Sequence, residues 1–408
     1  MRVTPRFDVV VVGASIGGCT AARLFALAGA RVALVERRPD PGAYKVVCTH
    51  QILSSAVPTI ERLGLAARLE ARGAVRTHLA AWSPYGGWMH FPTEAPYGYG
   101  VTRWTLDPIL RELATGTPGV EFFPGMTVVG LLSEDGRPVG VRIETRKRAA
   151  QSMRAGLVVG ADGRGSTIAR LAGVPGRVRP HNRFYYFAYW RGVQPRTTRA
   201  RLWFLDPDGA AAFPNEDDLT VVVAAPHRSR LQEFRADPEK AYQRMVAALP
   251  DGPDIAHAER VSKLIGKLEV PNVMRPAASP GLAFVGDAAL ATDPSFGVGC
   301  GWAFESAAWL VDHTRTALLE GGELDRGLDR YRRAFRRHLG LEHWLIADMS
   351  SGRKLRWNER TAFRAATGDP FVARALEEVA ARRRSSLRML DPRLTLRVLR
   401  QAGRAPVP

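Results

Sequence analysis

Apolar positions in the first 36 residues fall into two nearly unbroken runs, Asp8–Val12 and Arg31–Val35. Between them lie a glycine turn, Gly13–Gly18, and a stretch of helical composition, Cys19–Ala28. Continuous β-branched runs flanking a helix predict parallel strands buried on both faces of a sheet. Leu157–Val159 and Leu282–Val285 repeat the pattern, so one sheet draws its strands from residues 1–36, 150–160 and 282–286. Residues 40–75 read as a loop and a helix around Val57–Leu65, and the Tyr-, Trp-, Gly- and Pro-rich residues 76–104 as an irregular β insertion. Thr105–Thr115 reads as a helix with Pro108 in its first turn. Period-two alternation at Phe184–Arg191, Arg201–Leu205 and Leu219–Ala224 predicts a second sheet within residues 177–275, followed by a helix at Pro238–Ala248. A further helix runs from Cys300 to Leu319, and the rest is helical up to a frayed tail, Gln401–Pro408.

The 408 residues, 46% hydrophobic and 24% charged, have ordinary globular composition, which excludes disorder as the main state. No apolar run approaches the ~18–20 residues of a membrane span. The N-terminus lacks a signal-peptide layout, so a soluble cytoplasmic protein is expected. The net charge of +18 is uneven, with twenty basic and eight acidic residues between Arg326 and Arg404. These arginines sit on helical segments and read either as a solvated face or as attraction for a polyanionic cofactor or partner. No zinc-finger, RNA-binding or helix-turn-helix signature accompanies them, so no nucleic-acid partner is expected. Cys19, Cys48 and Cys300 are widely spaced and the nine histidines form no ligand pattern. Both observations fit a reduced compartment without a disulfide framework or a metal.

Chemistry concentrates in three motifs. Gly13-Ala14-Ser15-Ile16-Gly17-Gly18 joins a strand to a helix, with Ser15 where a dinucleotide fingerprint usually has its middle glycine. Such a turn aims a helix N-terminus at a pyrophosphate. Glu36, at the end of the second strand, is the acidic residue expected about 20 residues on to accept ribose hydroxyls. The second motif is the strand ending in Asp162-Gly163, followed by Ser166 and Arg170. The third is Gly286-Asp287, followed by Asp293-Pro294 and by Gly297, Val298, Gly299 and Gly301 before a helix.

In order and spacing these motifs resemble the group A flavoprotein monooxygenase superfamily, with its geranylgeranyl-reductase-like and halogenase branches, over residues 6–320. The resemblance implies an α/β fold with a Rossmann-like FAD domain of three-layer ββα organisation, an inserted mixed β-sheet substrate domain and a helical C-terminus. The expected division is FAD domain at 1–75, 105–176 and 276–322, β insertion at 76–104, substrate sheet at 177–275 and basic helical region at 323–408. It further implies bound FAD held by Gly13, Ser15, Ile16, Gly17, Gly18, Glu36, Arg37, Arg103, Asp162, Gly163, Gly286 and Asp287. Lys45 is a further phosphate contact or simply a surface lysine. Pro294 and the backbone of Gly297, Val298 and Gly299 would face the flavin.

The implied activity is hydroxylation or epoxidation of a bulky aromatic or polycyclic small molecule of secondary metabolism. It would use NAD(P)H as transient reductant and O2 through a flavin hydroperoxide, in a monomer or homodimer. Departures from the pattern bear on the branch: Leu290 replaces the His that follows Gly-Asp in many hydroxylases, and no Trp-x-Trp-x-Ile-Pro halogenase stretch is present. Cys48-Thr49-His50-Gln51-Ile52 is similar to the Cys-containing segment of geranylgeranyl-reductase-like proteins, so reduction of carbon–carbon double bonds is the alternative. Of the Tyr-x-Trp-x-Phe-Pro motif of those proteins only Phe213-Pro214 is present, with Gly209 and Ala211 at the aromatic positions. Tyr185, Phe187, Tyr189, Trp203 and Phe213 are substrate-pocket candidates or core residues, and Ala210–Ala212 would widen a cavity. His50 is either the general base or a loop histidine satisfied by backbone.

Overall fold

The strand Arg6–Val12 lies at the centre of an eight-stranded sheet in the computed structural model, which describes residues 6–145 and 148–402. Val32–Glu36 flanks it on one side and Arg148–Gly160 on the other, both parallel, with Val9 opposite Val32 and Leu157. Val120–Pro124 extends the parallel order beyond Val32–Glu36, and Leu282–Phe284 extends it beyond Arg148–Gly160. Val9, Val10, Val11, Val158 and Val159 are all fully buried, as two-sided strands require. One face is covered by helix Ile16–Leu27, against which helix Gly299–Leu319 packs.

The second sheet has ten strands and mixed pairing. Its main path runs Glu259–Arg260, Tyr185–Arg191, Leu219–Ala225, Gly209–Pro214, Arg199–Phe204, Val75–Ser83, Gly98–Gly100 and Gln51–Ile52. Residues 76–104 therefore do not stand apart. Val75–Ser83 pairs in parallel with Arg199–Phe204, setting Trp82 opposite Trp203. That contact joins residues 121 positions apart in the sequence, which local patterning does not encode.

Alternation gives this sheet two different faces. Tyr185, Phe187, Tyr189, Ala211 and Phe213 join the core shared with the first sheet. Phe184, Trp190, Trp203, Ala210 and Ala212 point the other way, beneath helices Leu231–Ala236 and Pro238–Ala247. Trp203 is thus not a pocket residue: its indole N–H donates to the Pro250 carbonyl at 2.9 Å on the far face. Ala210 and Ala212 lie there too, so only Ala211 of that run faces the first sheet.

Helix Arg103–Thr115 starts two residues before the position expected from Pro108. Pro108 falls inside it and forgoes one backbone bond, while Arg103 enters the first turn. The C-terminal region is helical as expected, at Leu324–Met349, Trp357–Ala365, Pro370–Ala380 and Pro392–Ala402. Gln401 belongs to the last of these helices, and residues 403–408 of the expected tail lie outside the described residues. Tyr331 anchors the region, its buried hydroxyl donating to the Phe284 carbonyl at 2.7 Å. Much of the basic excess is tied down here, as in Arg353 with Asp348 and Glu359, Arg382 with Glu342, and Arg397 with Asp369. No described helix is long and apolar enough to cross a membrane.

Candidate functional site

The Gly13–Gly18 turn is built for close approach. Gly13 takes φ 105°, and a Cβ there would lie 2.5 Å from the Ala161 carbonyl oxygen. A Cβ on Gly18 would lie 1.7 Å from the Gly13 oxygen, so no side chain fits. Ser15 holds the N-cap position of helix Ile16–Leu27 but does not cap it, and no acid occupies its first turn. The Ser15 Oγ instead meets the Arg103 guanidinium at 2.6 Å. The first-turn N–H groups and the positive helix end are left available to an anion.

Glu36 closes the second strand beside this turn, buried, accepting from the Ala14 N–H at 2.9 Å and the Arg38 N–H at 3.0 Å. Burial opposes its ionisation, but those N–H groups and the Arg38 guanidinium hold the carboxyl below its ordinary value. Arg37 is exposed; Arg38 is the arginine turned toward Glu36.

A second uncapped N-terminus belongs to the 21-residue helix Gly299–Leu319, also without acid in its first turn. The chain enters it through Asp293, the Pro294–Phe296 turn, Gly297 at φ 64° and buried Val298. Segment 48–51 lies directly on this turn. A Cβ on Gly297 would meet the Gln51 side chain at 3.3 Å, and the Cys48 and Cys300 sulfurs are 3.6 Å apart.

His50 sits here in a left-handed conformation, φ 59°, unusual for a residue with a side chain. Its Nδ1 accepts the Arg103 backbone N–H at 2.7 Å, and its Nε2 lies 2.5 Å from the Tyr189 hydroxyl. Burial lowers the His50 pKa, so the ring is neutral. A neutral ring accepting at Nδ1 carries its proton on Nε2 and donates it to Tyr189, by assignment from the hydrogen-bond network. Tyr189 keeps its own proton, since burial raises its pKa. The indole of Trp104 packs against both rings, its centroid 4.9 Å from Tyr189 and 5.8 Å from His50.

Other expected residues take different partners. Lys45 pairs with Asp287 at 2.7 Å. Asp162 accepts from Ser166 Oγ at 2.6 Å and the Ile168 N–H at 3.1 Å, so its carboxylate organises the start of helix Thr167–Leu171. Gly163 follows at φ 85°, and the Ala161–Asp162 backbone before it lies against Gly13. Gly286 donates its N–H to Ser306 at 3.0 Å. Tyr185 reaches Asp293 with its hydroxyl at 2.6 Å and so braces the Pro294 turn rather than lining a pocket. Phe187 and Phe213 remain on the shared face with Tyr189.

A family profile described as an FAD binding domain matches residues 6–339. The chain belongs to this family. It is an FAD-dependent oxidoreductase, and its relatives include reductases, halogenases and monooxygenases. A digeranylgeranylglycerophospholipid reductase of Thermoplasma acidophilum is 25% identical over 351 residues, covering 83% of this chain and 85% of that protein. A flavoprotein/dehydrogenase structure from Cytophaga hutchinsonii matches with TM-score 0.80 at 18% identity, covering 97% of this chain and 98% of that one. A geranylgeranyl bacteriochlorophyll reductase-like structure from Thermoplasma acidophilum matches with TM-score 0.70 at 18% identity, covering 98% and 97%. At 18% identity these two structures establish the shared fold. The donor set fits the cofactor: two uncapped helix N-termini, a glycine turn with no room for side chains and a buried carboxylate at the second strand end.

Several supporting residues carry no motif in the sequence. Arg111 is buried, its guanidinium on the Ala14 carbonyl at 3.2 Å and the Ala43 carbonyl at 2.7 Å, tying the turn to the loop after Glu36. Asp107 accepts two bonds from Arg103 at 2.8 Å one helical turn away, a spacing that an i,i+4 search finds. Glu216, buried, takes the Thr102 N–H at 3.0 Å and its hydroxyl, clasping helix Arg103–Thr115 to the second sheet. No described group of three or more His, Cys, Asp or Glu has the arrangement of a metal site.

Proposed function

We propose that this protein is a flavin-dependent reductase that saturates carbon–carbon double bonds in an isoprenoid-type lipid substrate. The observation that carries this is the His50–Tyr189 pair beside the Gly297–Cys300 turn. With the Tyr189 oxygen already receiving the His50 Nε2–H, the Tyr189 proton is left to donate outward. Saturating an alkene adds a hydride to one carbon and a proton to the other. Reduced FAD supplies the hydride, and this chain must supply the proton from a fixed donor.

Tyr189 is that donor, at a tyrosine whose buried hydroxyl stays protonated at neutral pH. His50 keeps its Nε2 proton and donates it in a hydrogen bond to the Tyr189 oxygen, which orients the hydroxyl and stabilises the tyrosinate left by the transfer, a positioning role. The tyrosinate is reprotonated from solvent as the product leaves. Trp104, Phe187 and Phe213 give the pair apolar surroundings suited to a hydrocarbon chain. In this reading Gly13, Ser15, Ile16, Gly17 and Gly18 hold the FAD pyrophosphate. Glu36 takes the adenosine ribose, Asp287 the ribityl chain, and the backbone of Gly297, Val298 and Gly299 the flavin ring. NAD(P)H or another soluble reductant supplies the electrons.

Hydroxylation would ask His50 to act as a base, yet both of its ring nitrogens are engaged. The curated relatives support the same choice: several named digeranylgeranylglycerophospholipid reductases match over more than 80% of this chain. The test incubates the dithionite-reduced holoenzyme in D2O with an unsaturated geranylgeranyl glycerolipid and reads the lipid by mass spectrometry. Saturation with two solvent deuteriums per reduced bond, one on each carbon, supports the reading, because the flavin N–H also exchanges with D2O. Unchanged lipid, together with oxygen incorporation into an aromatic test compound in air, overturns it.

A further inference from the structure

Two of the three cysteines, 252 positions apart in sequence, meet at the site with their sulfurs 3.6 Å apart. Cys48 sits in the stretch from residue 37 to 50, which contains no helix or strand, whereas Cys300 is fixed in the first turn of helix Gly299–Leu319. Cys48 Sγ accepts the His50 N–H at 3.3 Å and lies 3.8 Å from the Arg103 guanidinium. The reading of the reaction above uses neither thiol.

We propose that Cys48 and Cys300 are a redox-active pair that closes reversibly to a disulfide at the flavin end of the site. The geometry asks for little motion. The sulfurs must close from 3.6 Å to the ~2.05 Å of a disulfide, and the residue-48 side of the contact is irregular chain with no ladder bonds to break. Their surroundings also divide the labour. The hydrogen bond from Cys300 pulls the Cys48 thiol well below its ordinary value against the opposing effect of burial, aided by Arg103 and Lys45. The same bond and burial push the Cys300 thiol up, so the shared proton resides on Cys300. Cys48 is the nucleophile and Cys300 the resolving thiol.

With hydrogen peroxide as the two-electron oxidant, the Cys48 thiolate attacks one peroxide oxygen. An S–O bond forms, the O–O bond breaks, and the departing hydroxide takes a proton to become water. Cys300 sulfur then attacks the Cys48 sulfenic sulfur. The S–S bond forms, and the leaving hydroxide receives the Cys300 proton as a second water. Two thiols are oxidised by two electrons and one peroxide is reduced to two waters. Cys19 provides an internal control, being fully buried with its thiol pushed up by that burial.

This pair goes beyond the reductase reading and does not depend on it. The test treats the FAD-loaded full-length protein with one equivalent of hydrogen peroxide, quenches with catalase, and unfolds it in iodoacetamide for peptide mass spectrometry. The expected result is an intact mass lower by two hydrogens and a cross-linked peptide pair holding Cys48 and Cys300. Cys19 should be fully alkylated, and dithiothreitol should restore all three alkylations. A Cys300→Ser variant, which swaps one atom at a packed position, should stop at the Cys48 sulfenic acid with one equivalent of peroxide and go on to the sulfinic acid with a second. Full alkylation of both cysteines after peroxide, or Cys48 sulfinic acid in the unsubstituted protein with Cys300 still alkylated, would overturn the proposal.

Discussion

Replacing Asp293 by Asn tests how the second sheet positions the turn that leads into helix Gly299–Leu319. The Asp293 carboxylate is fully buried and receives the Tyr185 hydroxyl at 2.6 Å and the Ser295 N–H at 2.8 Å. His181 Nε2 lies 3.2 Å away and the Arg183 guanidinium 3.6 Å. Burial alone would raise its pKa, but His181, Arg183 and Tyr185 together hold it well below the usual carboxylate range. Asn keeps an acceptor for Tyr185 and Ser295 but strands the Arg183 charge, so the cost sits near the low end of the ~3–5 kcal/mol for breaking a buried pair.

At ~2.1 cal/mol/K per residue, 408 residues unfolding as one unit turn about 3 kcal/mol into a Tm loss of about 3–4 °C. Differential scanning calorimetry at pH 7 reads it, alongside retained FAD fluorescence after desalting. Because the carboxyl is depressed when folded, its contribution is present at neutral pH and lost as pH falls. The gap between variant and parent should therefore close only below the ordinary carboxylate range. A Tm within 1 °C of the parent at pH 7, with FAD retained, would show that this network does not hold the turn.

Gly18→Ala places a methyl 1.7 Å from the Gly13 oxygen, so the turn must open and the purified protein should lose its flavin absorbance while keeping its far-UV circular dichroism. Glu216→Ala removes a buried carboxylate from the Thr102 N–H and hydroxyl, which should lower stability by about 1.5–3 kcal/mol in urea unfolding. Burial raises the Glu305 carboxyl to about 7 despite Ser55 and Arg382. The folded state thus binds more protons than the unfolded one between its ordinary pKa and about 7, and stability falls as pH rises through that window. Glu305→Gln should raise Tm at pH 8 and do so less at pH 5. Tyr189→Phe should cut turnover while leaving FAD retention and Tm close to the parent, whereas a Tm drop matching the activity loss would mark Tyr189 as core only.

The parallel sheet and both glycine turns could be read from the sequence because each is written in a continuous stretch: an apolar run, a glycine spacing, an acid at a strand end. The second sheet was only half legible. Its antiparallel strands announce themselves by alternation, but the parallel pairing of Val75–Ser83 with Arg199–Phe204 depends on contacts across more than a hundred residues. Alternation also separates Tyr185, Phe187 and Tyr189 from Phe184 and Trp190 without saying which face meets the flavin domain. Pattern alone leaves Trp203 open between pocket and core, and it packs in the core beneath Pro238–Ala247. The Cys48–Cys300 contact, the Glu216 clasp and the Asp293 network are meetings of distant side chains, which no spacing rule encodes.

The most direct test of alkene reduction uses the flavin as its own indicator. Protein photoreduced to the colourless flavin under strict anaerobiosis is mixed with an unsaturated geranylgeranyl glycerolipid, and the oxidised-flavin absorbance is followed before oxygen is admitted. Recovery of that absorbance in proportion to double bonds lost is the expected result, slowed in Tyr189→Phe. A flavin that stays colourless with the lipid and recovers only on admitting oxygen would contradict carbon–carbon double-bond reduction as the reaction of this site.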